Sequence, residues 1–278
     1  MVPEMFDKLK NSVFAKLFFI GFLMLLLLIP LSMVESLIKE RKYRKNDAIK
    51  EVQNKWGKNQ TISGPVLVVP YRSYYIGDDK KRHYTIKNAY FLPEKINITG
   101  DIKSEIRKRG IYDIPVYNLK LAAQGNFKKP DFSQFKIKPH HIIWNDAFLA
   151  ISIPDTRGIQ KDISINWNNR NYKFYPGVKD SSLFYSGIHT YLKWGRISQH
   201  NTFSYEIKLK GSEVLKFVPT GKETKVSLQS NWSDPSFTGN YLPNKRSITK
   251  DGFTANWNIA YFGRNFPQSW IKDNATIR

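Results

Sequence analysis

Histidine is the side chain from which chemistry at neutral pH is most readily built, and the five histidines here are poorly placed for it. His83, His140, His141, His189 and His200 form no H-E-x-x-H pair. A chain without cysteine would have to complete a zinc site with carboxylates, which no spacing supplies. His140 and His141 follow Pro139 in a loop, where two surface imidazoles are expected rather than a metal pair. The chain has no G-x-S-x-G elbow, no phosphate-cradling P-loop and no G-x-G-x-x-G turn. Asp146, Asp155 and Asp162 are isolated acids, of the kind that open turns as readily as they transfer protons. No catalytic, cofactor-binding or metal-ligating residue is assigned, and the chain is expected not to be an enzyme.

Binding chemistry has more material. Trp144, Trp167, Trp194, Trp232 and Trp257 offer flat apolar faces that could stack on sugars or bases, but most lie in or beside alternating segments, where packing is the expected role. The net charge is +21. In residues 1–38 Lys8, Lys10 and Lys16 are balanced by Glu4, Asp7 and Glu35, so the whole excess lies beyond them. Such a surface attracts phosphate-bearing partners, lipid headgroups foremost. Absence of cysteine also removes disulfides and dithiol redox chemistry.

The elements that must position these residues begin with an apolar run. Residues 17–34, LFFIGFLMLLLLIPLSMV, carry no charge over 18 positions, close to the roughly 20 that a helix needs to cross a ~30 Å hydrocarbon core. A membrane helix is expected over 13–34, kinked rather than stopped by Pro30. It is expected to be retained, because Ser-Met-Val-Glu-Ser after it lacks a small-x-small cleavage site. A charged helix over 35–57 follows, with the i,i+4 pairs Glu35/Lys39, Glu40/Arg44 and Glu51/Lys55. Ile49, Val52 and Trp56 make an apolar stripe that docks on the following domain before Gly57 ends the helix. Lys39, Arg41, Lys42, Arg44, Lys45 and Lys50 outnumber the three N-terminal lysines, so the positive-inside rule alone would keep the large domain in the cytoplasm.

From Gly64 onward the period is two. PVLVVPY at 65–71 reads as a buried or edge strand between prolines. Ile96, Ile98, Ile102 and Ile106 alternate with polar residues, and Tyr117, Leu119, Leu121, Ala123 and Phe127 alternate back after Arg109-Gly110, which predicts a long hairpin over 95–127. Further alternation surrounds Asn168-Asn169 and recurs at 203–209, 226–232 and 255–261. The fold class expected is mainly β: one N-terminal transmembrane helix extended by a charged juxtamembrane helix, then an antiparallel β-sandwich-like domain over 58–270. The irregular stretch near 127–145 is a candidate subdomain boundary, and 271–278 reads as a tail.

Several segments together resemble a known family: LIPLSMVESLIKERKYRKNDAIKEVQNKWG, ISGPVLVVPY, YFLPEKINITGDIKSEIRKRGIYDIPVYNLKLAAQGNF, IPDTRGIQ and WNIAYFGRNFPQSW. In order and spacing the chain is similar to the CreD family of bacterial inner-membrane proteins. The resemblance implies a cytoplasmic N-terminus over 1–12, a helix in the inner membrane and a periplasmic β domain. It also implies association with envelope integrity, stress response, colicin tolerance and β-lactam susceptibility, with no enzymatic activity established for the family and no catalytic residue to carry over. The expected partners are anionic lipid headgroups near Lys39, Arg41, Lys42, Arg44 and Lys45, other envelope or membrane proteins, and no nucleic acid if the domain is periplasmic. The family-like positions are Arg109, Gly110, Asp155, Arg157, Gly158, Trp257, Arg264, Pro267 and Gln268, for which structural roles are expected. Family members continue past the segment matching 267–270 into further membrane helices, and this chain is expected to be a shortened form. The alternative functions are a binding module for an envelope glycan or lipid, with aromatic residues lining a groove, and an envelope hydrolase assembled from distant acids and histidines.

Overall fold

A computed structural model of the chain describes residues 13–192 and 199–271. Trp194, residues 1–12 and the 272–278 part of the expected tail lie outside the described residues. The chain divides into two compact units, residues 1–51 and 52–278.

The first unit is built on helix α1 (Val13–Trp56), which runs on without interruption through Pro30. Its large apolar side chains from Val13 to Ile38 are exposed all round the helix. A helix that is apolar on every side and covered by nothing is suited to lipid, not water. The hydroxyls of Ser32 and Ser36 donate to the carbonyls of Ile29 and Met33, each at 2.7 Å, so they remain satisfied without solvent. Beyond the apolar run, Lys39 meets Glu35 at 2.7 Å and Arg44 meets Glu40 at 2.6 Å, as the acid-first spacing predicts. Lys39, Arg41, Lys42, Arg44 and Lys45 are all exposed.

The second unit carries fifteen strands among its described residues: β1 (Gln60–Ile76), β2 (Arg82–Phe91), β3 (Lys95–Arg109), β4 (Tyr112–Lys128), β5 (Phe148–Ser152), β6 (Ser164–Trp167), β7 (Arg170–Lys173), β8 (Tyr175–Pro176), β9 (Gly187–Tyr191), β10 (His200–Ser212), β11 (Leu215–Phe217), β12 (Glu223–Ser230), β13 (Lys245–Thr249), β14 (Gly252–Ile259) and β15 (Ser269–Ile271). One sheet has the order β15-β2-β1-β5-β9-β8, with β11 also paired to β1; the other has the order β13-β14-β12-β3-β4-β10-β6-β7. The expected hairpin is β3 and β4, in register from Lys95↔Asn126 to Arg109↔Tyr112. Pairing is mostly antiparallel, but β12 runs parallel to β3 and β11 parallel to β1, which makes both sheets mixed.

The main core lies between the sheets. Leu67, Val69 and Ile151 from one sheet and Ile96, Ile98, Leu119, Leu121, Ile165 and Leu209 from the other belong to one buried cluster. A second cluster covers the other face of the smaller sheet, where Val66, Val68, Tyr90 and Phe148 meet Leu183, Phe184 and Trp270. Around Val66–Val69 the smaller sheet is thus buried on both faces, which is why that stretch is an unbroken apolar run while the one-sided β3, β4 and β10 alternate. The same circumstance hid β5: FLAIS is continuous, so it carries no period. Ile106 leaves the expected core stripe and is exposed, because β12 accompanies β3 only as far as Ile102.

Candidate functional site

Six of the nine family-like residues gather at two joints. At the first, the Asp155 carboxylate is buried beside a short 3-10 turn (Thr156–Gly158) and accepts from Arg157 Nε at 2.8 Å, Arg157 Nη2 at 2.9 Å and the Lys58 amide at 3.1 Å. The guanidinium of Arg157, opposed by burial, holds the Asp155 carboxyl below its usual range. Gly158 is required by close approach, since a Cβ there would stand 2.5 Å from the Lys210 carbonyl oxygen. Gln60, fully buried, donates to the carbonyls of Asp155 at 3.2 Å and Lys210 at 3.1 Å. Trp56 completes the joint: Lys210 and Arg107 lie over its ring at 4.2 and 4.6 Å, and its indole N–H donates to the Tyr117 carbonyl at 3.3 Å. Of the stripe read from the sequence, Trp56 reaches its partners through cation–π and hydrogen-bond contacts.

At the second joint, Arg264 is buried and donates to the Thr220 carbonyl at 2.6 Å and to Gln268 Oε1. Its guanidinium lies against Tyr261 at 4.9 Å and Phe266 at 5.3 Å, and burial lowers its pKa while Tyr261 and Glu94 work against that shift. Gln268 donates to the carbonyls of Leu92 at 2.7 Å and Pro93 at 3.0 Å and so ties the approach to β15 onto the end of β2. Pro267 is exposed just before it. The other family-like positions stand apart. Trp257 is half-buried on β14, edge-on to Phe237, and its N–H donates to the Tyr241 carbonyl at 3.1 Å. Arg109 and Gly110 are at the tip of the β3–β4 hairpin, where Gly110 has φ +59°.

The buried acid that sequence reasoning missed is Asp180. It receives the hydroxyls of Tyr90 and Ser182, each at 2.5 Å, Asn88 Nδ2 at 2.6 Å and the Ser182 amide at 2.9 Å. Burial would raise its pKa, but these donors prevail and hold it low. Burial and the adjacent carboxylate push the Tyr90 phenol up. Tyr90 stacks on Trp270 at 5.1 Å, so this network fixes the second core cluster in place. Only the spacing Asp180-Ser-Ser182 hinted at a local cradle.

The histidines do not converge, and the described residues contain no cluster suited to a metal ion. His83 pairs with Asp79 at 3.0 Å, His189 Nδ1 lies 2.8 Å from the Gly177 carbonyl, and His140 and His141 lie ring to ring at 4.4 Å. Asp162 is exposed and bridged to Lys173 at 2.7 Å; Asp146 is exposed in a turn. The described tryptophans pack, as expected, and line no aromatic groove among the described residues. Trp167 is buried against Phe127 and Trp144 packs edge-on to Phe132, because both serve the inter-sheet core. Trp232 closes its own turn by donating to the Asp234 carbonyl at 2.7 Å.

Concavity is found instead on the outer face of the larger sheet. Two adjoining depressions of about 550 and 580 Å³ share Thr99, Ala122, Glu206 and Lys208. The strand register sets their chemistry. One cross-strand row reads Asn258, Lys225, Asn97, Gln124, Ser204, Asn166 and Asn171, and the next reads Asn256, Ser227, Thr99, Ala122 and Glu206. This is a trough of amides and hydroxyls with scattered charges, able to exchange hydrogen bonds with a polar ligand along its length.

A family model for the inner membrane protein CreD matches residues 12–278. The chain belongs to the CreD family. It is 28% identical over 274 residues to the inner membrane protein CreD of Escherichia coli K12, a match that covers 96% of this chain and 60% of that relative. The chain thus spans less than two thirds of the length of the relative. Among the described residues one helix, within α1, is long and apolar enough to cross a bilayer, in keeping with a CreD inner-membrane protein. The CreD match takes in α1, both joints and the trough.

Proposed function

We propose that this CreD protein supports the bacterial envelope by binding and not by catalysis, with its β domain in the periplasm. The observation that carries the reading is the family match running unbroken from the anchor helix through the β domain. A translocated domain of this length is also little governed by the basic residues that flank the anchor. The exposed cations Lys39, Arg41, Lys42, Arg44 and Lys45 would contact anionic headgroups, at about 1 kcal/mol for each favourably placed charge. Envelope proteins are the further partners, and tolerance of envelope stress is the physiological role that the family resemblance supplies.

A second reading rests on the trough. Its amide and hydroxyl rows favour a polar envelope glycan over a lipid, and hydrogen bonds would have to supply what aromatic stacking does not. A hydrolase would have to draw on the acids that line the depressions, Asp101 with Glu206 in one and Asp162 with Glu206 in the other. Asp101 and Glu206 face one depression, but they stand two strands and two positions apart, about 12 Å at the backbone by standard strand spacings.

Topology is tested by fusing a reporter active only in the periplasm after Arg278. Activity in intact cells is the expected result. A reporter active only when its cytoplasmic counterpart is used would place the domain in the cytosol, overturn the reading and return nucleic acid as a partner for the +21 charge.

A further inference from the structure

The distal ends of β1 and β2 form an arm whose side chains at Tyr74–Ile76 and Arg82–Tyr84 are exposed. On the β5 side the pairing of β1 ends, among the described residues, with a bridge from Tyr71 to Ile142, and the described part of β15 joins β2 from Ala89 to Phe91. Over 72–76 and 82–86 the two strands pair with each other, in the register Arg72↔Ile86, Tyr74↔Tyr84 and Ile76↔Arg82.

Because cross-strand partners share a face, these six side chains lie together. Tyr74, Ile76, Tyr84 and Ile86 are 47%, 69%, 66% and 65% exposed. A solvent-facing sheet surface normally carries polar residues, as the trough does; this one carries a diagonal of two tyrosines and two isoleucines flanked by two arginines. The face is ordered by its own contacts, with the tyrosine rings 6.3 Å apart and Arg82 5.1 Å over Tyr74. The opposite face pairs Ser73 with Thr85 and Tyr75 with His83 and is more polar. Five Lys and Arg residues against two Asp give the arm a positive charge.

We infer that this arm is a second membrane contact, whose Tyr74/Ile76/Tyr84/Ile86 face enters the interfacial region of an anionic lipid surface. The charge is complementary to acidic headgroups, tyrosine is at home at the boundary between hydrocarbon and water, and isoleucine gains by leaving water. A chain tethered to a bilayer by α1 also meets that surface at high effective concentration.

The chain has no cysteine, so single-cysteine probes can be placed cleanly. Full-length Ile76→Cys protein, labelled with an environment-sensitive fluorophore, is reconstituted into vesicles of phosphatidylglycerol with phosphatidylcholine, or of phosphatidylcholine alone. Gln229→Cys on the outer face of the larger sheet serves as the water-exposed reference. The expected result is a blue shift at position 76 in anionic vesicles, with quenching by lipid-borne nitroxide several-fold greater than at position 229. Tyr74→Ser with Tyr84→Ser should abolish both signals, while unchanged near-ultraviolet dichroism reports an intact fold. Equal emission and quenching at the two positions in anionic vesicles overturns the inference. So does a shift that is the same in both lipids and grows with the protein-to-lipid ratio, which would assign the face to a second copy of the chain.

Discussion

Arg157 grips Asp155 through two parallel hydrogen bonds, 2.8 and 2.9 Å, although the arginine is mostly exposed and the aspartate almost fully buried. The pair therefore matters through its buried half. Asp155 also takes the Lys58 amide, just after α1 ends, and its backbone carbonyl receives Gln60. Asp155→Ala should lower the unfolding free energy by about 1.5–3 kcal/mol, the range for hydrogen bonds to charged groups. Arg157→Lys, which keeps the charge and loses the fork, should cost less than about 1 kcal/mol. Urea unfolding in constant detergent, followed by tryptophan fluorescence, measures both. Equal losses for the two variants would mean that the exposed ion pair, not the buried acceptor, matters.

Acid should destabilise the domain for a related reason. Asp155 and Asp180 are both held below the ordinary carboxylate value, by Arg157 in one case and by the Ser182, Tyr90 and Asn88 donors in the other. A carboxylate depressed in the folded state contributes its stability above the unfolded pKa of about 3.9 and loses it as pH falls through the lower folded value. Tm should be level from about pH 7 to about pH 5 and decline below about pH 4. Asp180→Asn should start from a lower Tm and show a shallower acid decline. An acid limb as steep as that of the parent would remove Asp180 from this account.

The β6–β7 turn offers a test of opposite sign. Asn168 and Asn169 both have positive φ, 49° and 63°, as a two-residue type I′ hairpin requires. The Asn168 side chain is engaged, accepting from the Thr202 amide at 2.8 Å and donating to Asn201 Oδ1 at 2.9 Å. Asn169 uses only its backbone amide here, donating to Asn166 Oδ1 at 3.1 Å. Asn169→Gly should raise stability by about 0.5 kcal/mol, and Asn169→Val should lower it by about 1–2 kcal/mol. Thermal unfolding of the two variants side by side decides whether the left-handed backbone is the controlling factor.

Much of this fold was legible along the chain. The β3–β4 hairpin, β10 and the β6–β7 turn were readable because their outer faces meet water, so burial on one side writes a period of two into the residues. β5 and β9 were not, since a sheet covered on both faces leaves no alternation. The parallel pairing of β12 with β3 has no local signature either, because it joins segments well over a hundred residues apart.

The site divides in the same way. The sequence by itself determined the candidate membrane span, as 18 uncharged and mostly apolar residues need only length and hydropathy to suit a bilayer. Family-like positions could also be named from it, and Asp155 with Arg157, two residues apart, could be suspected as a local bridge. Only the tertiary structure decided which residues would meet: Arg264 with Thr220, Gln268 with Leu92, Tyr90 with Asp180, and the amide rows of the trough. Tryptophans that could have lined a groove were drawn into packing, because large apolar faces gain most where two sheets exclude water. The polar rows were left to form the concave surface that no single strand reveals.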